Sequence, residues 1–201
     1  MKHLTLIGCA NGWQDAPDSD DESWGITSLA LKRYVDRSFD MHDLTWTKEQ
    51  WYKHFLIWMG QQYGRNYLTQ RAEKRFNKVP VFFAKINELS TPLYSVRAYP
   101  NVPTSLAYPF VEVSQHFETQ FFASTADFAL ALAIYEKFEY IDVYGFKMNV
   151  KSEYEHQVYS FNHWLGIAKG RGIKVKVHGE SAILRTRTGL IYGYSVPQKE
   201  V

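Results

Sequence analysis

His42 follows Asp40 by two positions and precedes Asp43, at the end of the short run Ser38-Phe39-Asp40-Met41. An imidazole beside a carboxylate is the pairing that general-base chemistry uses: the carboxylate orients the ring, and the ring takes the proton. Along an extended strand, residues two apart share a face and adjacent residues do not. Asp40 is therefore the expected partner of His42, and Asp43 is not. A second titratable group, Glu153, stands in the first turn of the helix predicted to open at Ser152-Glu-Tyr-Glu-His-Gln157. It reads either as a proton acceptor or hydroxyl ligand, or as a carboxylate that complements the helix dipole. Glu153, Gln157, Ser160 and Trp164 recur at spacings of four, three and four, which predicts one shared helix face. His156 falls beside that face and reads as a surface residue.

Backbone-binding positions form a second group. Gly145 ends the apolar run Tyr140–Tyr144 just before the Glu153 helix, where a parallel sheet presents ligand-binding loops and helix N-termini. Asn11 and Gly12 follow the first apolar run and suit a nucleotide base or phosphate, or a simple turn. Ser124 and Thr125 precede the helix predicted over Ala126–Lys137, as caps or as phosphate ligands. No GxGxxG or Walker pattern accompanies these glycines. No metal set is expected: the seven His are scattered, and the acids of Asp15–Glu22 lack the EF-hand glycine and spacing. Cys9, the only cysteine, excludes an intrachain disulfide and reads as a small buried side chain.

These residues need a scaffold. Strands are predicted at Leu4–Cys9, Ser23–Thr27, Ser38–Met41, Val79–Ala84, Tyr140–Tyr144 and Ile173–Val177. Leu29–Val35 reads as a brief helical or irregular connector. Thr47–Phe76 carries the longest helical pattern, with Trp51, Phe55, Trp58 and Met59 in register. Leu89–Pro109, with four prolines, reads as a loop over the cleft. Ala126–Lys137 is apolar nearly all round and must be buried. Ser152–Lys169 carries a core stripe of Tyr154, Val158, Phe161, Leu165 and Ala168, and stops at Gly170-Arg-Gly172. Helix and strand alternate through the C-terminal half, which argues for an α/β fold: a single Rossmann-like domain, 1–201, with a mainly parallel sheet flanked by helices. A helical insertion is expected at about 47–76 and a loop-rich segment at 89–109.

Bulk composition narrows the classes. A net charge of +2, from 23 basic and 21 acidic residues, offers no global argument for nucleic acid or membrane. The local excess Arg65, Arg71, Lys74, Arg75 and Lys78 reads as a solvated helix end, with a phosphate-tracking stripe as the alternative. No apolar run approaches the ~20 residues of a membrane span, and the start lacks a signal-peptide core. A soluble cytoplasmic protein is expected.

Several segments together resemble a family of small Rossmann-like proteins frequent in bacteriophages and prophages. The resemblance runs through Leu6-Ile-Gly…Asn11-Gly12, Trp24-Gly-Ile26, Phe39-Asp-Met-His-Asp43 and Ser124-Thr-Ala-Asp-Phe-Ala-Leu-Ala-Leu-Ala133. It continues through Ile141-Asp-Val-Tyr-Gly-Phe-Lys-Met148, Glu153-Tyr-Glu-His-Gln157, Trp164–Ile173 and Leu190-Ile-Tyr-Gly-Tyr194. More distantly, the layout is similar to small bacterial sialyltransferases, which use a CMP-sugar, and to hydroxymethylpterin diphosphokinase-like proteins, which use ATP. The resemblance implies a nucleotide or nucleotide-sugar donor, with Asn11, Gly12, Ser124, Gly145 and Tyr154 on the nucleotide side. It would place the protein in the cytoplasm of a bacterial host.

The leading expectation is a nucleotide-dependent, glycosyltransferase-like transferase with His42 or Glu153 as base and Ser124, Thr125 and Gln157 near the nucleotide. Glycosyl transfer is favoured over diphosphoryl transfer because no lysine-bearing phosphate loop is visible. The alternatives are a non-catalytic protein that sequesters a signalling nucleotide, and a virion or assembly protein on a relict fold. A fold alone does not choose among them.

Overall fold

The computed structural model describes residues 1–18, 21–44, 50, 85–148, 157–186, 188–194 and 196–198. Among the described residues seven strands pair into one sheet: β1 His3–Ile7, β2 Glu22–Ile26, β3 Arg37–Phe39, β4 Leu93–Ser95, β5 Ser105–Ala107, β6 Tyr140–Tyr144 and β7 Lys174–Val177. Every pairing is parallel, in the order β5-β4-β3-β2-β1-β6-β7. This is an α/β fold with a fully parallel sheet and flanking helices. From β1 the chain winds outward to β5 and then returns to the other side of β1 with β6. The winding therefore reverses between β1 and β6, and the carboxyl ends of all strands face one way.

Alternation sorts the side chains. Leu4, Leu6, Ile141 and Val143 join Trp24 and Phe39 in a core shared with three helices, α1 Phe110–Phe117, α2 Thr125–Tyr135 and α3 Gln157–Gly170. Ile7 and Tyr144 turn to the opposite face, where they meet Ala16, Leu29 and Val35. Trp24 is fully buried and packs on Phe39 and Phe138, with ring centroids 5.1 and 5.3 Å away. Burying one such side chain contributes on the order of 2–3 kcal/mol. α2 is buried from Ala129 through Ile134, as its apolar sequence requires, because α1, α3 and the sheet all pack on it.

Most predicted elements stand within one or two residues, and β6 has the predicted bounds. The segment 89–109 differs: it holds β4 and β5 rather than one long loop. Its prolines lie outside the strands. The Pro92 carbonyl accepts the Ser38 amide at 2.8 Å and starts the β3–β4 ladder. Three-residue strands are too short to show alternation in sequence. α1 is an element the sequence reading does not contain. The connector expected at Leu29–Val35 is a 3-10 turn at Thr27–Leu31. Cys9 is exposed, not buried, because β1 ends at Ile7; its thiol donates to the Ile26 carbonyl at 3.0 Å. The expected helical insertion, the strand at 79–84 and the basic group at 65–78 lie outside the described residues. No helix among the described residues is long and apolar enough to cross a membrane.

Candidate functional site at the carboxyl edge of the sheet

Where β3 ends, Asp40 is fully buried, and its amide is held by the Tyr94 carbonyl at 2.9 Å. One carboxylate oxygen, Oδ1, accepts the His42 main-chain N–H at 2.9 Å and lies 2.6 Å from the same residue's Nδ1. The expected partnership is formed, and the backbone contact locks the turn that carries the ring. Oδ2 has no hydrogen-bond partner among the described residues. The imidazole keeps 48% of its side-chain surface exposed while its orienting carboxylate is at 0%. The Asp40 charge holds the His42 pKa above the ordinary 6.5; partial burial opposes this, and the hydrogen bond reinforces it. A buried carboxylate bonded to a half-open imidazole is the arrangement of an oriented base. Asp43 is engaged elsewhere: Tyr99 donates its hydroxyl to it at 3.4 Å, and the Arg97 guanidinium is 3.7 Å away.

The N-terminus of α2 reaches the same turn. Thr125 Oγ1 accepts the Met41 amide at 3.4 Å, so Ser124 and Thr125 stand beside the His42 turn. Ser124 is the extended N-cap, as expected. Asp127, three residues on, accepts the amides of Ser124 and Ala123 at 2.8 and 2.7 Å. Its Oδ2 also takes the Ser160 hydroxyl from α3, at 2.8 Å. Burial pushes the Asp127 pKa up to about 6, against the pull of these donors. Asp127 was not among the residues picked out from sequence, although Ser124-x-x-Asp127 has capping-box spacing and could have revealed it.

Gln157 begins the described part of α3, and its carbonyl oxygen lies 3.0 Å from Ser160 Oγ, whose proton goes to Asp127. Ser160 and Trp164, expected to share a face with it beside the core stripe, are both fully buried. The Trp164 indole N–H is spent on the Phe121 carbonyl at 2.9 Å, and its ring lies against Phe117 and Phe122. The face is core because residues 117–122 cover it. Glu153, Tyr154 and His156 lie outside the described residues.

At the reversal point, the loops after β1 and β6 are joined backbone to backbone. Gly8 donates to the Tyr144 carbonyl at 2.8 Å, and Ala10 to the Gly145 carbonyl at 2.9 Å. A Cβ on Gly8 would meet the Gly145 oxygen at 2.5 Å, and one on Gly145 the Gly8 oxygen at 2.9 Å. Gly145 also has φ +68°, a left-handed value that favours glycine. These glycines fill the crevice between β1 and β6 with main chain. They hold the exposed Asn11 and the left-handed Gly12 at the rim. Asn11, Gly12, His42, Ser124, Thr125, Gly145 and Gln157 thus all lie at the carboxyl edge; direct contact is seen between the His42 turn and Thr125, and between the Gly145 loop and Ala10.

No protein-family model matches the chain, and no curated protein matches it in sequence. Solved structures that match include the sialyltransferase CstII from Campylobacter jejuni in complex with CMP-3FNeuAc. That pair shares 11% identity over 88% of this chain and 80% of the other, with a TM-score of 0.44. The CstII complex with cytidine-5′-monophosphate gives 11% identity over 88% and 79%, at 0.45. The complex with a trisaccharide acceptor and CMP gives 10% over 88% and 80%, at 0.43. The similarity to these sialyltransferases is distant and is one of fold.

Proposed function

We propose that the protein transfers a glycosyl group from a nucleotide-activated donor, with His42 as the base. The observation that carries this reading is the Asp40–His42 pair: a buried carboxylate 2.6 Å from the ring of a half-exposed imidazole, at the end of the sheet where parallel folds bind ligands. His42 takes the proton of an acceptor hydroxyl as that oxygen attacks the anomeric carbon. The bond from that carbon to the donor phosphate oxygen breaks, and the phosphate leaves with the electron pair. Ser124 and Thr125, at the N-terminal turn of α2 beside the His42 turn, are proposed to bind the leaving phosphate through their hydroxyls. Asn11 and Gly12 provide the rim for the nucleoside, and Gly145 shapes that rim through Ala10. Gln157 stands at the entry to α3, and Glu153 and Tyr154 are proposed to complete the site from the segment just before it.

The test is thermal shift of the purified protein with nucleotide sugars, nucleotides and cyclic dinucleotides, with and without magnesium, followed by transfer assays on any binder. A ligand at a hundredfold excess over its Kd stabilises by about 2.7 kcal/mol. His42→Gln should keep the shift and lower turnover by ~10²–10⁴-fold. Binding of a signalling nucleotide without turnover, unchanged in His42→Gln, would instead identify a sequestering protein. No shift with any nucleotide would sink both readings.

A further inference from the structure

The amino edge of the sheet, opposite the His42 edge, holds a cleft. α2 and α3 end there, and β6 and β7 start there. Between them lies a space of about 640 Å³ floored by the buried side chains Ile134, Phe138 and Ile173. Small-molecule sites commonly span roughly 300–1,000 Å³. The charged lining is Lys137, Arg171 and Lys174 against the single acid Glu139.

The three cations come from three elements, and none has a carboxylate partner among the described residues. Lys137, just past α2, is exposed, and its ammonium has no hydrogen-bond or ion-pair partner there. Lys174, at the start of β7, donates to the Tyr140 hydroxyl at 2.8 Å and stands 4.9 Å from that ring. Arg171, just past α3, has Nη1 2.9 Å from His116 Nε2 and lies over the Phe117 ring at 4.6 Å.

The acids at this edge are already engaged. Glu139 accepts the Lys2 main-chain N–H at 3.3 Å. Glu136 pairs with Lys2 Nζ at 3.4 Å and with Arg37 at 2.6 Å, and Arg37 also holds Glu22 at 2.8 Å. Those two cations and two acids cancel. Basic residues after a helix often serve its last carbonyls and its dipole. Here the main chain takes such carbonyls: Phe138 N–H donates to Ala133 at 3.1 Å and Ile173 N–H to Ala168 at 3.0 Å. The two helix ends bring about half a negative charge each. With Glu139 that is about two negative charges against three positive ones, so the cleft stays positive.

We infer that this cleft binds a small organic polyanion. Its phosphate or carboxylate groups meet Lys137, Arg171 and Lys174, and its carbon frame lies over the apolar floor. The cleft is on the far edge of the sheet from His42, so the inference is independent of the chemistry proposed there.

Isothermal titration calorimetry with tripolyphosphate and with citrate tests it, the two probes separating phosphate from carboxylate recognition. At least one should bind saturably, and more weakly as salt rises, because the cations are exposed. The His42 edge is itself proposed to hold a phosphate, so amide NMR of the same titration must locate the probe. Shifts should fall on residues 137–140 and 171–174. Lys137→Gln/Lys174→Gln should melt with the wild type and bind about tenfold more weakly or worse. Ser124→Ala/Thr125→Val should leave the shifts at 137–140 and 171–174 in place. No binding of either probe would overturn the inference. So would shifts confined to residues 11–12, 42 and 124–125, or binding that Lys137→Gln/Lys174→Gln leaves intact. Anionic vesicles that capture the protein while both probes fail would replace the small ligand with a membrane surface.

Discussion

The Ser160 hydroxyl of α3 donates to the Asp127 carboxylate in the first turn of α2 at 2.8 Å, and both side chains are sealed from solvent. That carboxylate crowds three donors onto Oδ2 and leaves Oδ1 without a partner among the described residues. Burying a charge with half of its acceptor capacity unmet is costly, which is why its pKa rises. Stability should therefore depend on pH with an unusual sign for an aspartate. The folded state holds the proton more tightly than the unfolded one. The stability is fully present below the ordinary value of 3.8 and falls as pH rises through about 6. A rise from 3.8 to about 6 corresponds to ~3 kcal/mol. In urea denaturation at pH 4 and pH 8, the gap between wild type and Asp127→Asn should move by about that much in favour of the Asn variant. A gap that does not change with pH would remove the buried charge as its cause.

The pH dependence assigned to His42 runs through the same linkage. Its pKa is raised chiefly by Asp40, so the stability this pair contributes is fully present below 6.5 and is lost as pH rises through the folded value. If His42 is the base, the acid limb of kcat/KM should have its midpoint above 6.5 and move down in Asp40→Asn, where the carboxylate charge is gone. Ring-proton NMR of His42 checks the same shift without any assay of activity. An unshifted His42 titration in Asp40→Asn would contradict the assignment of Asp40 as its orienter.

Two glycines offer a paired test of the loop junction. Gly145→Ala combines a left-handed φ of +68° with a Cβ at 2.9 Å from both the Gly8 oxygen and the Trp13 Cβ, and neither contact is a flexible side-chain end. The expected loss is about 2–4 kcal/mol. Gly166, inside α3, has nothing within 4 Å of an added Cβ, so Gly166→Ala should stabilise by about 0.5–1 kcal/mol. Thermal melts of the two variants should move in opposite directions.

What could be read in advance followed from periodicity, and what could not followed from context. The Asp40–His42 pairing was expected from strand alternation, but β3 ends at Phe39, and the pair forms in the turn beyond it, where the Asp40 carboxylate takes the His42 amide as well as the ring. The bounds of β6 and the burial of α2 were legible because both runs are apolar and closed by polar residues. β4, β5 and α1 were not: the two strands are three residues long and depend on the ladder that runs from β3 to β4 to β5 rather than on any pattern of their own. Ser160 and Trp164 were placed on one side of α3 beside the core stripe, and that side is itself core. Helical spacing says which residues share a side, while the covering of that side by Phe117 and Phe122 comes from a distant segment. Asp127 was missed because an acid at the third position of a helix is usually a solvated cap, and its burial is a consequence of α3 packing.

Asp142 carries the last prediction. On the sheet face away from the three helices its two oxygens are divided between flanking strands and loops: His3 Nε2 of β1 lies 2.7 Å from Oδ2, and His178 Nε2, just past β7, lies 2.6 Å from Oδ1. His178 also stacks on Tyr144, with centroids 4.0 Å apart and planes 8° apart. One carboxylate on β6 thus ties the start of β1 to the exit of the edge strand β7. The three side chains keep about a quarter of their surface exposed, so each contact is worth ~1 kcal/mol rather than the value of a sealed ion pair. Asp142→Ala removes both contacts at once and should cost ~2 kcal/mol, whereas His3→Ala and His178→Ala should each cost about half as much. In the Asp142→Ala background, removing either histidine should cost less than it does in the wild type, because the carboxylate contact is already gone and only the His3–Asp21 pair at 3.0 Å or the His178–Tyr144 stack is left to lose. Full additivity in that double-mutant series would show that the carboxylate does not couple the two strands.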